Sequence, residues 1–346
     1  MGTVPIFAAQ SAETGLSPSG RAFGERLAFK ENPSVATPIP LIRQLEANIG
    51  QVVLGKADVV RLCVVALLAG EHVLLEDVPG VGKTLVGKAL ARSVSGEFRR
   101  IQFTPDLLPA DITGSSVFDA RQQQFVFNPG PVFANVVLAD EINRTTPRTQ
   151  SALLEAMSEG QVSADGQTHP LPQPFLVIAT QNPLEFEGTY PLPESQLDRF
   201  LLRISVGYPD RECQRQILAS HRRGEPVEAL QPVLAGPQIL ELQQAVREVR
   251  VEASVADYVL DVVQATRQSE ELHFGVSVRG ALSLYRAAQA WALAEGRDYV
   301  VPDDVKRLAV PVLAHRVIPK GYLHGGQRRA VEALMERLVE EVPVPS

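Results

Sequence analysis

The chain has 346 residues, of which 45% are hydrophobic and 6% aromatic, so it can build a sizeable core and is long enough for two domains. Its formal net charge of -7 and isoelectric point of about 5.5 make nucleic acid an unexpected partner. The longest apolar runs, such as 132–139, are far shorter than the ~20 residues that a membrane-spanning helix needs. Residues 1–10 lack the basic start and apolar stretch of a signal peptide, so we expect a cytoplasmic protein.

The first third of the chain begins with a biased segment and continues with helical spacing. Residues 1–37 are rich in Gly, Ser, Ala and Pro without a sustained period, which predicts a flexible leader. Apolar spacing then predicts helices over 38–49 and 57–68. The turn between these helices contains Val53, Leu54 and Gly55. This turn either lines an adenine pocket or is an ordinary connection between two helices.

A glycine-containing turn follows the next apolar run, which ends at Leu75, and helical spacing resumes from Leu85. Strand, loop and helix in this order are typical of a phosphate-binding loop, whose backbone N–H groups point at a polyphosphate. The residues predicted to hold the nucleotide are Pro79, Gly80, Val81, Gly82, Lys83, Thr84 and Leu85. We expect Lys83 on the β- and γ-phosphates and the Thr84 hydroxyl on Mg²⁺. The usual pattern begins with glycine, where this chain has Asp77.

Two further apolar runs end in polar residues. Residues 132–139 read as a buried strand that ends in Asp140 and Glu141. Residues 175–179 read as another strand, with Asn182 shortly after it. Because open α/β sheets bind ligands at the carboxyl ends of their strands, we expect these polar groups beside the phosphate loop. Asp140 can hold Mg²⁺, Glu141 can orient and deprotonate an attacking water, and Asn182 can hydrogen-bond that water.

The remaining segments complete the predicted organisation. Residues 98–103 read as a strand, and residues 148–158 as a helix. Alternating residues predict β-hairpins over 111–127 and 161–171. Beyond residue 210 helical spacing dominates, over 211–222, 237–248, 254–269, 278–294, 302–315 and 327–341. We therefore predict an α/β nucleotide-binding core over 38–209 and a small all-helical domain over 210–346.

Five motifs in this order resemble the MoxR family of AAA+ ATPases. They are Leu75–Thr84, Leu138–Arg144, Thr149–Met157, Ala179–Pro183 and Leu192–Phe200. The resemblance covers roughly residues 40 to 345 and implies an AAA+ P-loop NTPase core, with a parallel sheet and helices on both faces, followed by a helical lid domain. It implies ATP and Mg²⁺ as cofactors, and many members carry Asp at the position of Asp77.

The resemblance also implies roles for single residues. Lys83 and Thr84 would belong to the Walker A loop, Asp140 and Glu141 to Walker B, and Asn182 to sensor 1. Arg199 would be an arginine finger that acts on the neighbouring subunit's nucleotide, and Arg279 the sensor-2 arginine. A homo-oligomeric ring, most often of six chains, would follow. The segments 111–127 and 161–171 resemble the helix-2 insert and the pre-sensor hairpin.

Three functions fit these predictions. The first is a chaperone-like ATPase that remodels a protein partner, which in this family typically carries a von Willebrand factor A domain. The second is a motor subunit that acts on DNA or in metal chelation, against which the acidic isoelectric point argues. The third is a nucleotide-dependent switch or scaffold with little turnover, which would not need the water-orienting acid Glu141.

Overall fold

The structure, a computed structural model, describes residues 38–345 except 122, 165, 184–187 and 322–327. The predicted leader, residues 1–37, lies outside these described residues. Helices and strands alternate along the first half of the chain. These elements are α1 (Pro38–Gly50), α2 (Ala57–Ala69), β1 (Val73–Glu76), α3 (Lys83–Ser93), β2 (Val94–Ser95), β3 (Phe98–Gln102), α4 (Pro109–Thr113), β4 (Gly114–Asp119), β5 (Gln124–Pro129), β6 (Val136–Asp140), α5 (Pro147–Glu159), β7 (Gln161–Ala164), β8 (Gln167–Pro170), β9 (Leu176–Gln181), α6 (Glu194–Leu197) and β10 (Leu202–Ile204).

Five of these strands form one parallel sheet in the order β10-β1-β9-β6-β3. Because the strands are parallel, the loops after β1, β6 and β9 all lie at the same edge of the sheet. The register places Gln102 opposite Asp140 and Glu76 opposite Gln181. The sequence predicts four of the five strands, and the structure adds β10. The two predicted hairpins are present as β4–β5 and β7–β8.

Strand β6 begins at Val136, four residues later than the predicted start at Val132. The preceding residues form a turn, in which the Val132 N–H donates to the Ile112 carbonyl and the Ala134 N–H to the Val132 carbonyl. Both Val132 and Ala134 are buried. The apolar run is thus longer than the strand because the turn before it is also in the core.

Alternate residues of the central strands point to opposite faces of the sheet. Val136 and Leu138 lie in an apolar cluster with residues of α1, α2 and α3. Val137 and Ala139 lie in a second cluster, with residues of α4 and α5 on the other face. Helices therefore cover both faces of a parallel sheet, and the predicted fold class is confirmed.

The second half of the chain is mainly helical, as predicted. Its elements are α7 (Arg211–Ser220), β11 (Leu234–Ala235), α8 (Gly236–Glu248), α9 (Ala253–Gln268), β12 (Leu272–Phe274), α10 (Val278–Glu295), α11 (Pro302–Leu313), β13 (Ile318–Pro319) and α12 (Arg328–Glu341). A short antiparallel pair, β12 with β13, adds to the predicted helices. None of the helices within the described ranges combines the length and apolarity that crossing a bilayer requires.

The helical half packs directly on the first two helices of the chain. Helix α2 contacts α8 and α10, and α1 also contacts α10. One apolar cluster runs without interruption from Ile42 in α1 to Met335 in α12. The described residues thus form one compact unit, and the division at residue 209 stays a prediction.

Candidate functional site

A cleft of about 460 Å³ opens at the carboxyl edge of the sheet. It is lined by residues from the loops after β1, β6 and β9, by the end of β3 and by the segment that follows α7. The lining residues are Pro79, Gly80, Gly82, Lys83, Thr84, Leu85, Lys88, Arg100, Gln102, Asp140, Glu141, Thr180, Gln181, Asn182, His221, Glu225, Pro226 and Val227. The structure therefore brings together the phosphate loop and the polar strand ends that the sequence singles out.

The loop after β1 has the backbone conformation of an anion cradle. Gly80 and Gly82 have φ angles of 81° and 94°, in the left-handed region that glycine adopts without strain. Helix α3 starts at Lys83, so its N-terminal N–H groups face the cleft. The Lys83 ammonium donates to the carbonyls of Asp77 and Val78, the second at 3.0 Å. Val81 is buried in the core and does not line the cleft.

Asp77 stands where the usual pattern has glycine, and its side chain ties the loop to the segment after β10. Its carboxylate accepts from the Ser205 hydroxyl at 2.5 Å, the Gly207 N–H at 2.7 Å and the Val78 N–H at 2.7 Å. Burial works against ionisation of this carboxyl, but these hydrogen bonds and nearby Lys83 outweigh it, and the pKa of Asp77 is lowered from its ordinary value. Asp77 therefore stabilises the loop that it begins.

We expect Asp77→Asn to lower the free energy of unfolding by about 1–3 kcal/mol at pH 7, because hydrogen bonds to a charged acceptor are lost. A lowered pKa in the folded state contributes stability that is present above the ordinary value of 3.8 and is lost as the pH falls through the folded-state value. The gap between wild type and variant should therefore narrow at acid pH in denaturant titrations. Asp261→Asn on the exposed face of α9 is the control. Equal stabilities at pH 7 would contradict this role.

Asp140 is held at the end of β6 by three neighbouring side chains. Its carboxylate accepts from the Thr180 hydroxyl at 2.6 Å and from the Thr84 hydroxyl at 3.3 Å. The Arg100 guanidinium forms an ion pair with the same carboxylate at 2.6 Å. Mg²⁺ in nucleotide sites is held by one or two carboxylates together with phosphate oxygens and waters. The close approach of the Thr84 and Asp140 oxygens fits such a site, and the Arg100 pair shows that positive charge is favoured there.

Glu141 has a left-handed backbone, with φ 59° and ψ 50°, which is uncommon for a residue other than glycine. Its N–H donates to the Thr180 hydroxyl at 2.9 Å. Its carboxylate accepts from the Gln102 amide at 2.9 Å and lies 3.2 Å from Arg144. Such backbone strain persists where the surroundings fix it, and it is concentrated at functional sites. The turn directs the Glu141 side chain into the cleft rather than onward along the strand.

Asn182 follows β9, the strand next to β6, and reaches the same cleft while only 5% exposed. Its backbone carbonyl accepts from the Asn143 amide at 3.2 Å. This bond joins the loop after β9 to the turn after β6. The two loops that carry Glu141 and Asn182 are thus fixed relative to one another.

Sequence reasoning missed two cleft residues on β3, Arg100 and Gln102. They alternate along the strand, so both side chains point to one face, and each contacts a Walker B candidate. Arg100 also donates to the Gln102 side chain at 2.8 Å. The signal was available, because polar residues at alternate positions near the carboxyl end of a strand face the same edge as the phosphate loop.

Arg199 and Arg279 lie outside the cleft, in a separate depression of about 290 Å³. His72 lines this depression and immediately precedes β1, whereas Lys83 comes after β1. The depression and the cleft therefore lie at opposite ends of that strand, which spans about 13 Å at ~3.3 Å per residue. Arg199 donates to the Ser158 hydroxyl at 2.7 Å. Arg279, which the sequence predicts to bind nucleotide, therefore lies beside Arg199, the predicted arginine finger, and away from the phosphate loop.

The three residues considered for an adenine pocket do not line the cleft either. Val53 and Gly55 line another cavity, of about 610 Å³, together with Arg61, Trp291 and Arg307, whereas Leu54 lines neither. Gly55 has a φ of 69°, and a Cβ there would lie 2.5 Å from the Cys213 sulfur. The turn therefore packs tightly on α7, and its place in an adenine pocket stays a prediction.

Comparisons with known proteins agree with this geometry. Residues 72–202 match the model of the ATPase family associated with various cellular activities, and residues 264–337 match the AAA lid domain. The fold and the site thus define an AAA+ ATPase, with the cleft in the first matched segment.

Similarity to individual proteins shows to which family of AAA+ ATPases the chain belongs. The chain is 42% identical over 320 residues to Chaperone MoxR1 of Mycobacterium tuberculosis (90% of this chain, 84% of that protein) and 33% identical over 330 residues to Protein MoxR of Paracoccus denitrificans (88% and 96%). It is 50% identical over 308 residues to the uncharacterized protein YeaC of Bacillus subtilis (88% and 95%). A crystal structure of a candidate ATPase from Cytophaga hutchinsonii superposes with a TM-score of 0.80 at 36% identity, over 90% of this chain and 97% of that one. The chain belongs to the MoxR family of AAA+ ATPases.

Proposed function

We propose that this chain binds ATP with Mg²⁺ in the cleft and hydrolyses it to ADP and phosphate, using Glu141 to activate the water. The observation that carries this proposal is the convergence of Lys83, Asp140, Glu141 and Asn182 on one cleft from three separate loops. Phosphoryl transfer needs these parts: phosphates held in place, a metal site, an oriented water and charge stabilisation.

Each residue has a role that its position supports. The N–H groups of the glycine loop and the Lys83 ammonium hold the phosphates. Asp140 and Thr84 would hold Mg²⁺, which when bound neutralises charge on the phosphate oxygens. Glu141 accepts the proton of the attacking water, and Asn182 orients that water from the adjacent strand. The contacts of Glu141 with Gln102 and Arg144 define its position before a water is bound.

The charge that develops on the γ-phosphate needs a further donor, and Arg199 is the proposed one. Since Arg199 and Arg279 lie at the opposite end of β1 from Lys83, we assign both to a neighbouring subunit's nucleotide. An arginine offers a fixed fork of donors that suits phosphate oxygens. Such a head-to-tail contact uses two different surfaces of each chain and closes into a ring. A ring of six is our proposal for the assembly.

We further propose that the energy of ATP hydrolysis serves to remodel a protein partner, specifically one with a von Willebrand factor A domain. The relative Chaperone MoxR1 supports a chaperone-type role. Hairpin β4–β5 supports a protein partner, because Phe118 and Phe125 are 53% and 73% exposed and stack edge to face. Between Gly114 and Pro129 the chain carries a single basic residue, Arg121, which is not the pattern of a nucleic-acid contact.

A trapping experiment tests this partner. The Glu141→Gln chain should hold ATP, remain in the state that engages the partner, and retain a von Willebrand factor A protein from extracts of the host cell. The Lys83→Ala chain, which should bind ATP about tenfold or more weakly, is the matched control at an ATP concentration that fills only the Glu141→Gln sites. Enrichment of that protein with the first chain, in the presence of ATP and identified by mass spectrometry, is the expected result. Equal recovery with both chains, or recovery of DNA in place of such a protein, would contradict the proposal.

A further inference from the structure

Arg316 is a buried charge outside the cleft. It lies in the turn Ala314–Arg316 after α11, and its side chain is only 2% exposed. A buried guanidinium is costly unless its donors are paired. Its donors bond the Asp198 carboxylate at 2.7 Å, the carbonyls of Phe200 and Leu201 at 2.7 and 3.1 Å, and the Ser283 hydroxyl at 3.2 Å. Because it is buried and its donors are paired, the Arg316 side chain is held in one position.

The hydrogen-bond partners of Arg316 lie next to Arg199 or near Arg279, the two arginines of the depression. The guanidinium also donates to the Asp198 carbonyl at 3.2 Å, so Arg316 contacts backbone on both sides of Arg199. The other carboxylate oxygen of Asp198 lies 4.0 Å from the Arg279 guanidinium. Ser283 lies four residues after Arg279 on α10, on the same face of that helix. One side chain therefore connects the loop that carries Arg199 to the helix that carries Arg279.

We propose that Arg316 is the positioning residue that fixes Arg199 and Arg279 as a pair, so that both meet the nucleotide of the next subunit. This inference rests on the proposed function, in which Arg199 acts on a neighbour. A lysine could keep the charge, but it has no planar fork with which to bond a carboxylate and several carbonyls at once. The geometry, rather than the charge alone, is therefore what the site requires of Arg316.

The Arg316→Lys variant tests this role. Mixing it with other variants separates two functions of one chain: ATP binding in its own cleft, and the supply of Arg199 to the cleft of the next subunit. We expect ATP affinity within about twofold of wild type and a turnover number lowered about tenfold or more, because an interaction made in the transition state is lost. Mixed with Lys83→Ala chains, whose Arg199 is correctly placed, the Arg316→Lys chains should regain hydrolysis. Mixed with Arg199→Ala chains, which have no finger to lend, they should keep the lowered turnover number.

Arg297→Lys is the matched control, because Arg297 also pairs through its fork with a carboxylate of the lid, Asp304 at 2.6 and 2.8 Å. It should lower stability but leave turnover unchanged below the unfolding temperature. Asp198→Asn is a second variant, less buried, and it decides the question if Arg316→Lys does not fold. Asp198→Asn should likewise regain hydrolysis when mixed with Lys83→Ala chains and not when mixed with Arg199→Ala chains.

Two results would overturn the inference. One is a folded Arg316→Lys chain with the wild-type turnover number. The other is the absence of rescue by Lys83→Ala chains when the reference mixture of Arg199→Ala with Lys83→Ala does recover activity. If the reference mixture itself stays inactive although labelled subunits exchange, action in trans is wrong, and the proposed function fails rather than the role of Arg316.

Discussion

Glu141→Gln should retain ATP and lose its hydrolysis. The substitution keeps the size of the side chain and its contact with Gln102, but it removes the carboxylate that we propose accepts the proton of the attacking water. General-base assistance contributes roughly 10²–10⁴-fold, so turnover should fall by about that factor. ATP affinity should stay within about twofold, because the lost interaction belongs to the transition state. Steady-state phosphate release and equilibrium ATP binding measure the two quantities.

Glu155, on α5 of the same chain, provides the control for Glu141→Gln. Glu155→Gln makes the same chemical change at an exposed position on α5 and should hydrolyse ATP at the wild-type rate. Phosphate release by Glu141→Gln at more than about a tenth of the wild-type rate would remove Glu141 from the role of base. Loss of ATP binding would instead show that Glu141 contributes to the ground state.

Arg199→Ala should lower ATP hydrolysis about 10³-fold or more, as loss of an arginine finger does in related NTPases. Its own cleft remains intact, so ATP affinity should be unchanged. If the finger comes from another chain, as we propose, wild-type hydrolysis per subunit should also rise with protein concentration until assembly is complete. Phosphate release across a dilution series, with oligomer size followed by light scattering, measures both effects.

Arg250→Ala removes an exposed ion pair with Asp298 and is the control, since such pairs contribute little. Hydrolysis per subunit that does not change across the dilution series, while light scattering shows dissociation, would mean that one chain completes its own site. Arg199 would then have no role on a neighbour, and its bonds to Ser158 and to the Leu154 carbonyl would be structural.

The cleft could be predicted from the sequence because its parts are local patterns. A buried strand followed by polar residues specifies where Asp140 and Asn182 lie, since parallel strands bring their carboxyl ends to one edge. The glycines before Lys83 likewise specify a loop of known shape. Those patterns do not predict the hydrogen bonds between residues that are distant in the chain. Asp77, for instance, departs from the usual glycine, and only the structure shows its bonds to Ser205 and Gly207.

The depression with Arg199 could not be predicted in the same way. Arg279 is more than seventy residues from Arg199 in the chain, and their approach depends on how the helical half packs against the sheet. Arg316 reads in sequence as one more arginine at the end of a helix. Its importance follows from burial and from bonds to carbonyls around residue 199, which are properties of tertiary packing.

We propose the cleft around Lys83 as the ATP site. Equilibrium titration of ATP into Glu141→Gln chains, with and without Lys83→Ala, tests it most directly, because the first substitution prevents turnover during the measurement. We expect Lys83→Ala to weaken ATP binding about tenfold or more, through loss of a direct contact with the β- and γ-phosphates. Equal ATP affinities for the two chains, with both shown to be folded, would contradict the assignment of this cleft.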